Sequence, residues 1–207
     1  MTRSRESLKA VRLLFFEPYN EIGAAMTSML RAEGFGNVTH VYTIENARAE
    51  ILGDRCDAAL LEADGNEMAI GQLCHEVRLY KLGEDPFLPL LVSQSEVTEE
   101  STRLFSFAGV DALLDKPYSP TDVLKHLEDL AVRPRLFVVN GPYAGPEHRG
   151  KRRPDDASKH IEAFNGLRQL LYQGSAEAED RDRTRSEWRQ MLRRRVVPKR
   201  GKGTRKT

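Results

Sequence analysis

The chain has 207 residues, of which 40 % are hydrophobic, 30 % charged and only 7 % aromatic. That length accommodates one or two domains with a largely aliphatic core, and no stretch reaches the roughly 18 apolar residues of a membrane-spanning helix. The net charge of +1 conceals an asymmetry: residues 181–207, beginning at Arg181, hold twelve Lys and Arg against two Asp and Glu, so the remainder is acidic by nine charges.

Residues 1–9 are polar and lack the apolar centre of a signal peptide, which leads us to expect a cytoplasmic, soluble protein. Residues 11–16 form a short apolar run followed by Pro18 and Asn20, the pattern of a buried parallel strand. Ile22, Met26, Met29 and Leu30 then recur at helical spacing up to Gly34. Residues 38–43 alternate and are rich in β-formers, 47–52 return to helix, and 58–61 make a third apolar run. Ile70, Leu73, Val77 and Tyr80 form a helical stripe that residues 83–86 break. Residues 88–92 predict a fourth strand, 97–107 a helix, and 110–114 a fifth strand. Ser119 and Pro120 open a last helix that runs to about residue 131.

Strand and helix therefore alternate five times, which implies a doubly wound α/β fold with a five-stranded parallel sheet, flavodoxin-like in type. Ligand sites in such folds lie at the carboxyl ends of the strands. Glu17, Glu62, Ser93 and Lys116 stand at those ends.

After residue 131 the composition changes. Gly and Pro punctuate 141–154 and predict a loop-rich linker. Residues 157–172 fit an amphipathic helix, and Trp188, Met191 and Leu192 lie on a second, basic one. The expected organisation is a polar segment 1–9, a domain 10–131, a linker 132–160 and a helical, basic, partly disordered extension 161–207.

The two cysteines, Cys56 and Cys74, form no CxxC pair and sit in apolar patterns, so they read as small core hydrophobes. Asp54 and Asp57 show no metal-loop pattern, and Ser93 and Ser95 have no His/Asp partners at a hydrolase spacing. His75 falls on a helical face expected to be solvated.

Several motifs at matching spacing resemble the receiver domains of two-component response regulators. Asp57-Ala-Ala-Leu-Leu-Glu62 resembles the family's third strand, and Leu73-Cys-His-Glu-Val-Arg78 its third helix. Leu88-Pro-Leu-Leu-Val-Ser93 resembles the fourth strand with its terminal Ser/Thr. Ala108-Gly-Val-Asp111 followed by Lys116-Pro117-Tyr118 resembles the most specific anchor, a Lys before a proline. The resemblance covers about 120 residues. It implies a site where an Asp at the end of strand 3 accepts a phosphoryl group. Two acidic residues after strand 1 help hold Mg²⁺, a Lys offsets charge, and a Ser/Thr hydroxyl bonds a phosphoryl oxygen.

The sequence departs from that pattern where the chemistry is done. Glu62 stands at the acceptor position, one methylene longer than Asp. Glu17-Pro18 stands at the acidic pair, so one carboxylate is missing. Leu113 stands at the aromatic switch position, while Ser93, Lys116 and Pro117 are retained. The expectation is a degenerate pseudo-receiver that is not an enzyme, needs no cofactor, binds Mg²⁺ poorly if at all, and works through a protein partner, a signalling kinase or downstream regulator. A Glu62–Lys116 contact is expected. The alternatives are a working phosphorelay receiver that accepts phosphate at Glu62 or Asp64, and a regulator that binds nucleic acid or another acidic surface through residues 181–207. A short stretch from Tyr143 to Arg149, followed by Lys151-Arg-Arg153, resembles a Tyr-x-Gly-Pro-x-x-Arg extension found after some receivers, and reads as a turn-rich linker or a docking peptide.

Overall fold

The computed structural model describes residues 5–133, 135–140, 142–147, 159–163, 167–172 and 178–195. Five parallel strands, β1 (Arg12–Phe16), β2 (Asn37–Val41), β3 (Ala58–Glu62), β4 (Leu90–Gln94) and β5 (Ala112–Asp115), form one sheet in the order β2-β1-β3-β4-β5. β3 and β4 are buried along their full length, as strands covered on both faces must be. The expected doubly wound five-stranded parallel sheet is therefore present.

The helices divide between the two faces because alternate strand residues point to opposite sides. Leu14, Phe16, Ala59 and Leu61 pack with Leu73, Val77 and Phe105, which belong to α4 (Glu67–Arg78) and α5 (Glu99–Ala108). Ile51 of α3 (Ile44–Leu52) joins the same cluster. Leu13, Phe15 and Leu60 pack the other way, against Leu30 of α2 (Asn20–Glu33) and Val123 and Leu127 of α6 (Pro120–Val132). Local chemistry sets the helix starts: Thr98 with Ser101, and Ser119 with Asp122, form reciprocal capping boxes, the second with Pro120 in the first turn.

Both ends of the chain depart from expectation. The N-terminal segment is not simply a polar lead: α1 (Arg5–Ala10) brings Leu8 into the core at 1 % exposure, beside Leu167 and Leu171 of α7 (Leu167–Tyr172). The expected linker carries two strands, β6 (Arg135–Asn140) and β7 (Tyr143–Pro146). The expected helix over 157–172 is β8 (Lys159–Ala163) followed by α7. These strands form a second, antiparallel sheet ordered β7-β6-β8. Pro146 is tolerated because β7 is an edge strand, where a missing N–H removes no ladder bond. Residues 148–158 and 196–207, which include the Arg149 end of the extension motif, Lys151 to Arg153 and the last part of the basic end, lie outside the described residues.

The second sheet packs on α4 and α5, the helices on one face of the first. Trp188 of α8 (Ala178–Arg195) is fully buried against Phe87 and Phe137, with Met191 and Leu192 partly buried against the same cluster. Its indole N–H donates to the Arg78 carbonyl at 2.9 Å. The Arg78 side chain, 0 % exposed, donates to the carbonyls of Gly109, Pro86 and Leu88 and to Asp111 Oδ2 at 2.8 Å. Gly109 closes α5 in the left-handed region at φ 82°, and a Cβ there would meet Arg78 Cγ at 2.8 Å and the Ala144 carbonyl at 3.3 Å. Only glycine satisfies both the backbone and that close approach of β7.

Candidate functional site

The carboxyl ends of β1, β3, β4 and β5 converge at one edge of the parallel sheet. The register sets Glu62 level with Ser93, and Ser93 level with Leu114. The backbone N–H of Lys116 donates to the Gln94 carbonyl at 2.8 Å, which fixes the start of the loop after β5. The Lys116–Pro117 peptide is cis. Topology thus brings Glu17, Glu62, Ser93 and Lys116 to one end of the sheet, as the strand pattern led us to expect.

Glu62 is 2 % exposed and each of its oxygens is engaged. Oε1 accepts the Asp64 backbone N–H at 2.9 Å; Oε2 accepts the Ser93 hydroxyl at 2.8 Å and faces Lys116 Nζ at 2.5 Å. Burial pushes the Glu62 carboxyl above its ordinary range, and the bonds from Lys116, Asp64 and Ser93 offset that only in part. Burial alone would lower Lys116, but its contacts with Glu62 and then Asp64 outweigh this, and its ammonium is held above the usual value. The pair reads consistently as a desolvated carboxylate kept ionised chiefly by one partly exposed cation.

Glu17 is buried at 2 % exposure and turns inward on its own loop, Oε1 accepting the Tyr19 backbone N–H at 3.0 Å. Pro18 contributes neither a carboxylate nor an N–H. Leu113 lies level with Val92 in the sheet and packs against the core face that carries α4 and α5.

Three residues take roles that the sequence did not show, although Asp64 stood there as an alternative acceptor and Tyr118 and Asp111 as parts of motifs. Asp64 accepts the Ser95 backbone N–H at 2.9 Å and hydroxyl at 2.5 Å, and lies 3.3 Å from Lys116 Nζ. Burial opposes its ionisation, but the Ser95 bonds and then Lys116 hold the carboxyl below the usual range. Tyr118 packs against the core beside the site, and burial pushes its phenol up despite the nearby Ser93 hydroxyl. Asp111, seen only as part of a motif, anchors Arg78 and accepts the Leu90 N–H. The loop spacings that make the Asp64–Ser95 pair, 31 residues apart in sequence, have no local signal.

Other candidates resolve into structural roles. Cys56 and Cys74 are buried free thiols whose pKa burial pushes up to about 12. Asp57 binds Arg12 through its backbone N–H, Nε and Nη2. His75 is half-buried and stacks on Phe107 at 5.7 Å, so it is not on the solvated face expected for it. Among the described residues no group of three or more His, Cys, Asp or Glu is placed to hold a metal ion, and no helix is long and apolar enough to cross a membrane.

Neither a family model nor a curated protein matches the sequence. Solved structures do match. The Vibrio cholerae chemotaxis protein CheY4 is 21 % identical, with a TM-score of 0.50, covering 57 % of this chain and 97 % of its own. The receiver domain of a Pseudomonas aeruginosa sensor histidine kinase, with a magnesium ion in its active-site cleft, is 20 % identical at a TM-score of 0.49, covering 58 % and 97 %. The pseudo-receiver domain of the CikA protein is 19 % identical at 0.45, covering 58 % and 96 %. With its β2-β1-β3-β4-β5 parallel sheet, the N-terminal 57 % of the chain has the CheY-like receiver fold of the response regulators.

Proposed function

We propose that this protein is a pseudo-receiver: a signalling module of the two-component type that acts by binding a protein partner and does not run an Asp phosphorylation cycle. The observation that carries this reading is the occupancy of Glu62. In the receiver pattern a Lys and a Ser/Thr hydroxyl wait for a phosphoryl group. Here both are already spent, Lys116 at 2.5 Å and Ser93 at 2.8 Å, on the Glu62 carboxylate itself. A phosphoryl donor would have to displace this partly buried ion pair before any chemistry began, and a nucleophile displaced by about an ångström loses on the order of 10²-fold in rate.

The donor set also does not suit Mg²⁺, which demands near-octahedral oxygen ligation. Glu17 is turned onto the Tyr19 N–H, Pro18 supplies no ligand, and an ammonium stands where the Glu62 carboxylate would meet a cation. Asp64 is no substitute acceptor, since Ser95 and Lys116 hold its carboxylate. A cytoplasmic location and a signalling kinase or downstream regulator as partner belong to the same proposal.

The test is incubation of the full chain with acetyl phosphate and Mg²⁺, followed by intact-mass measurement. No added phosphoryl mass is expected. Stoichiometric, Mg²⁺-dependent labelling at Glu62 or Asp64 would overturn the reading.

A further inference from the structure

We propose that this chain forms a two-fold dimer through the outer face of α2, with the two copies of the helix packed antiparallel. The inner face of α2 is accounted for: Gly23, Thr27 and Leu30 are buried, and Met26 packs against the core. The outer face is apolar as well. Ile22 is 55 % exposed and Met29 50 %, and Ala25 and Ala32 are exposed on the same side. The spacing 22, 25, 29, 32 is the three-four repeat that draws one stripe along a helix, the seam by which two helices pack. A helix that is apolar on both faces is ordinarily covered on both.

Two features of the seam name its occupant as a second copy. The first is size. Large and small side chains alternate along it: Ile22, Ala25, Met29, Ala32. A two-fold axis level with Thr27 sets Ile22 opposite Ala32 of the second copy and Ala25 opposite its Met29, so each large side chain meets a small one. Parallel packing would instead set Ile22 on Ile22 and Met29 on Met29 and leave the alanines apart. The second feature is charge. Among the exposed residues of α2 only Glu21 and Arg31 are charged, and they stand at opposite ends of the helix. Antiparallel packing brings Glu21 of each copy toward Arg31 of the other. Within the chain neither has an ion-pair partner among the described residues, and Arg31 makes a 3.3 Å bond to the Val38 carbonyl that its side chain can exchange for a carboxylate.

Alanine is the best helix former and is common on solvated helix faces, which accounts for Ala25 and Ala32 singly. It does not account for Ile22 and Met29 set between them at seam spacing, nor for Tyr19 and Tyr42, both exposed at the start of the same helix. Tyr42 tilts against His40 at 4.3 Å, and His40 fills the space beside Gly23, so these rings continue the patch past one end of the seam. That continuation matters because 14 residues of helix span only about 21 Å, whereas stable interfaces bury roughly 1,200–2,000 Å². The dimer is accordingly expected to be weak and reversible. A membrane surface suits the face less well: interfacial helices are rich in Lys and Arg beside their apolar stripe, and α2 exposes a single Arg.

The experiment is sedimentation equilibrium of the full-length protein over a concentration series, with far-UV circular dichroism showing that each variant keeps the fold. A reversible monomer–dimer equilibrium is expected. Met29→Lys puts a charge into the seam and should raise the dissociation constant about tenfold or more. Glu21→Arg and Arg31→Glu each turn two symmetric attractions into repulsions and should raise it roughly three- to thirtyfold. Both reversals in one chain should return it to near the wild-type value, a rescue that antiparallel packing gives and parallel packing does not. A protein that stays monomeric throughout the series, a dimer indifferent to Met29→Lys, or a folded double reversal as weak as the single ones would each overturn the proposal.

Discussion

Lys116 keeps Glu62 charged in a place where burial opposes charge, and the strength of that hold can be measured. Breaking a buried pair by removing one partner costs about 3–5 kcal/mol, but Lys116 is 28 % exposed and an exposed pair is worth at most about 1. Lys116→Ala is therefore expected to destabilise by about 1–3 kcal/mol in denaturant melts at pH 7. The pH dependence has a definite sign. The folded-state pKa of Glu62 is raised, so folding takes up a proton there. Its contribution is fullest below the unfolded carboxylate value and is lost as pH rises through the raised one. Asp64 runs the other way: its lowered pKa gives stability above the ordinary carboxylate value that is lost as pH falls. Relative to Glu62→Gln, the wild type should gain stability on acidification from neutral pH toward the ordinary carboxylate range. In Lys116→Ala, Glu62 loses its cation, and the same gain should begin at a higher pH. A melt difference between these variants that does not vary with pH would show that Glu62 does not titrate as described.

The second sheet is where the sequence misleads, and the reasons are local. β8 (Lys-His-Ile-Glu-Ala) has a single large apolar residue, Ile161, so its period of two is invisible beside the helical spacing of the residues around it. β7 looks like linker because Gly145 and Pro146 are turn formers, yet Gly145 is needed where β7 crosses Gly109, whose Cα lies 3.0 Å from where a Gly145 Cβ would sit. Four of the parallel strands were legible as short apolar runs bounded by turn residues, and the second as a β-rich alternation. The site was legible only to the extent that strand ends define it, which gave Glu17, Glu62, Ser93 and Lys116 but not Asp64 with Ser95. The elements make a prediction for Trp188, the chain's single tryptophan. Trp188→Ala should cost about 3–5 kcal/mol by leaving a cavity between Phe87 and Phe137. Trp188→Phe should keep most of the packing and lose the bond to the Arg78 carbonyl, about 1 kcal/mol. Unfolding of the wild type should red-shift its emission, since the indole starts fully buried; a wild-type spectrum already typical of exposed tryptophan would contradict the docked helix.

At the scale of the whole molecule, part of the basic surplus is consumed internally. Arg185 pairs with Asp85 at 2.9 Å and Arg189 with Glu84 at 2.6 Å, fastening α8 to the loop after α4. Residues 196–207, which lie outside the described residues, carry a further five Lys and Arg and no acid. Removing that segment leaves α8 intact. If it binds nucleic acid or an anionic membrane, truncation at residue 196 should weaken binding. On duplex DNA the salt dependence should also flatten, by about 0.9 in log–log slope for each phosphate the shortened chain no longer neutralises. An unchanged affinity for DNA, RNA and anionic vesicles across a salt series would show that the segment serves none of them. The buried Arg78 has a different consequence. Its guanidinium ties together the loop before β4, the end of α5 and the start of β5, while its carbonyl takes the indole of α8. Losing the smaller sheet would strip the cover from this charge, and disturbing this charge would loosen the larger sheet. Heat should therefore find no seam between them: one cooperative transition, with equal calorimetric and van't Hoff enthalpies, in a chain whose architecture has two sheets.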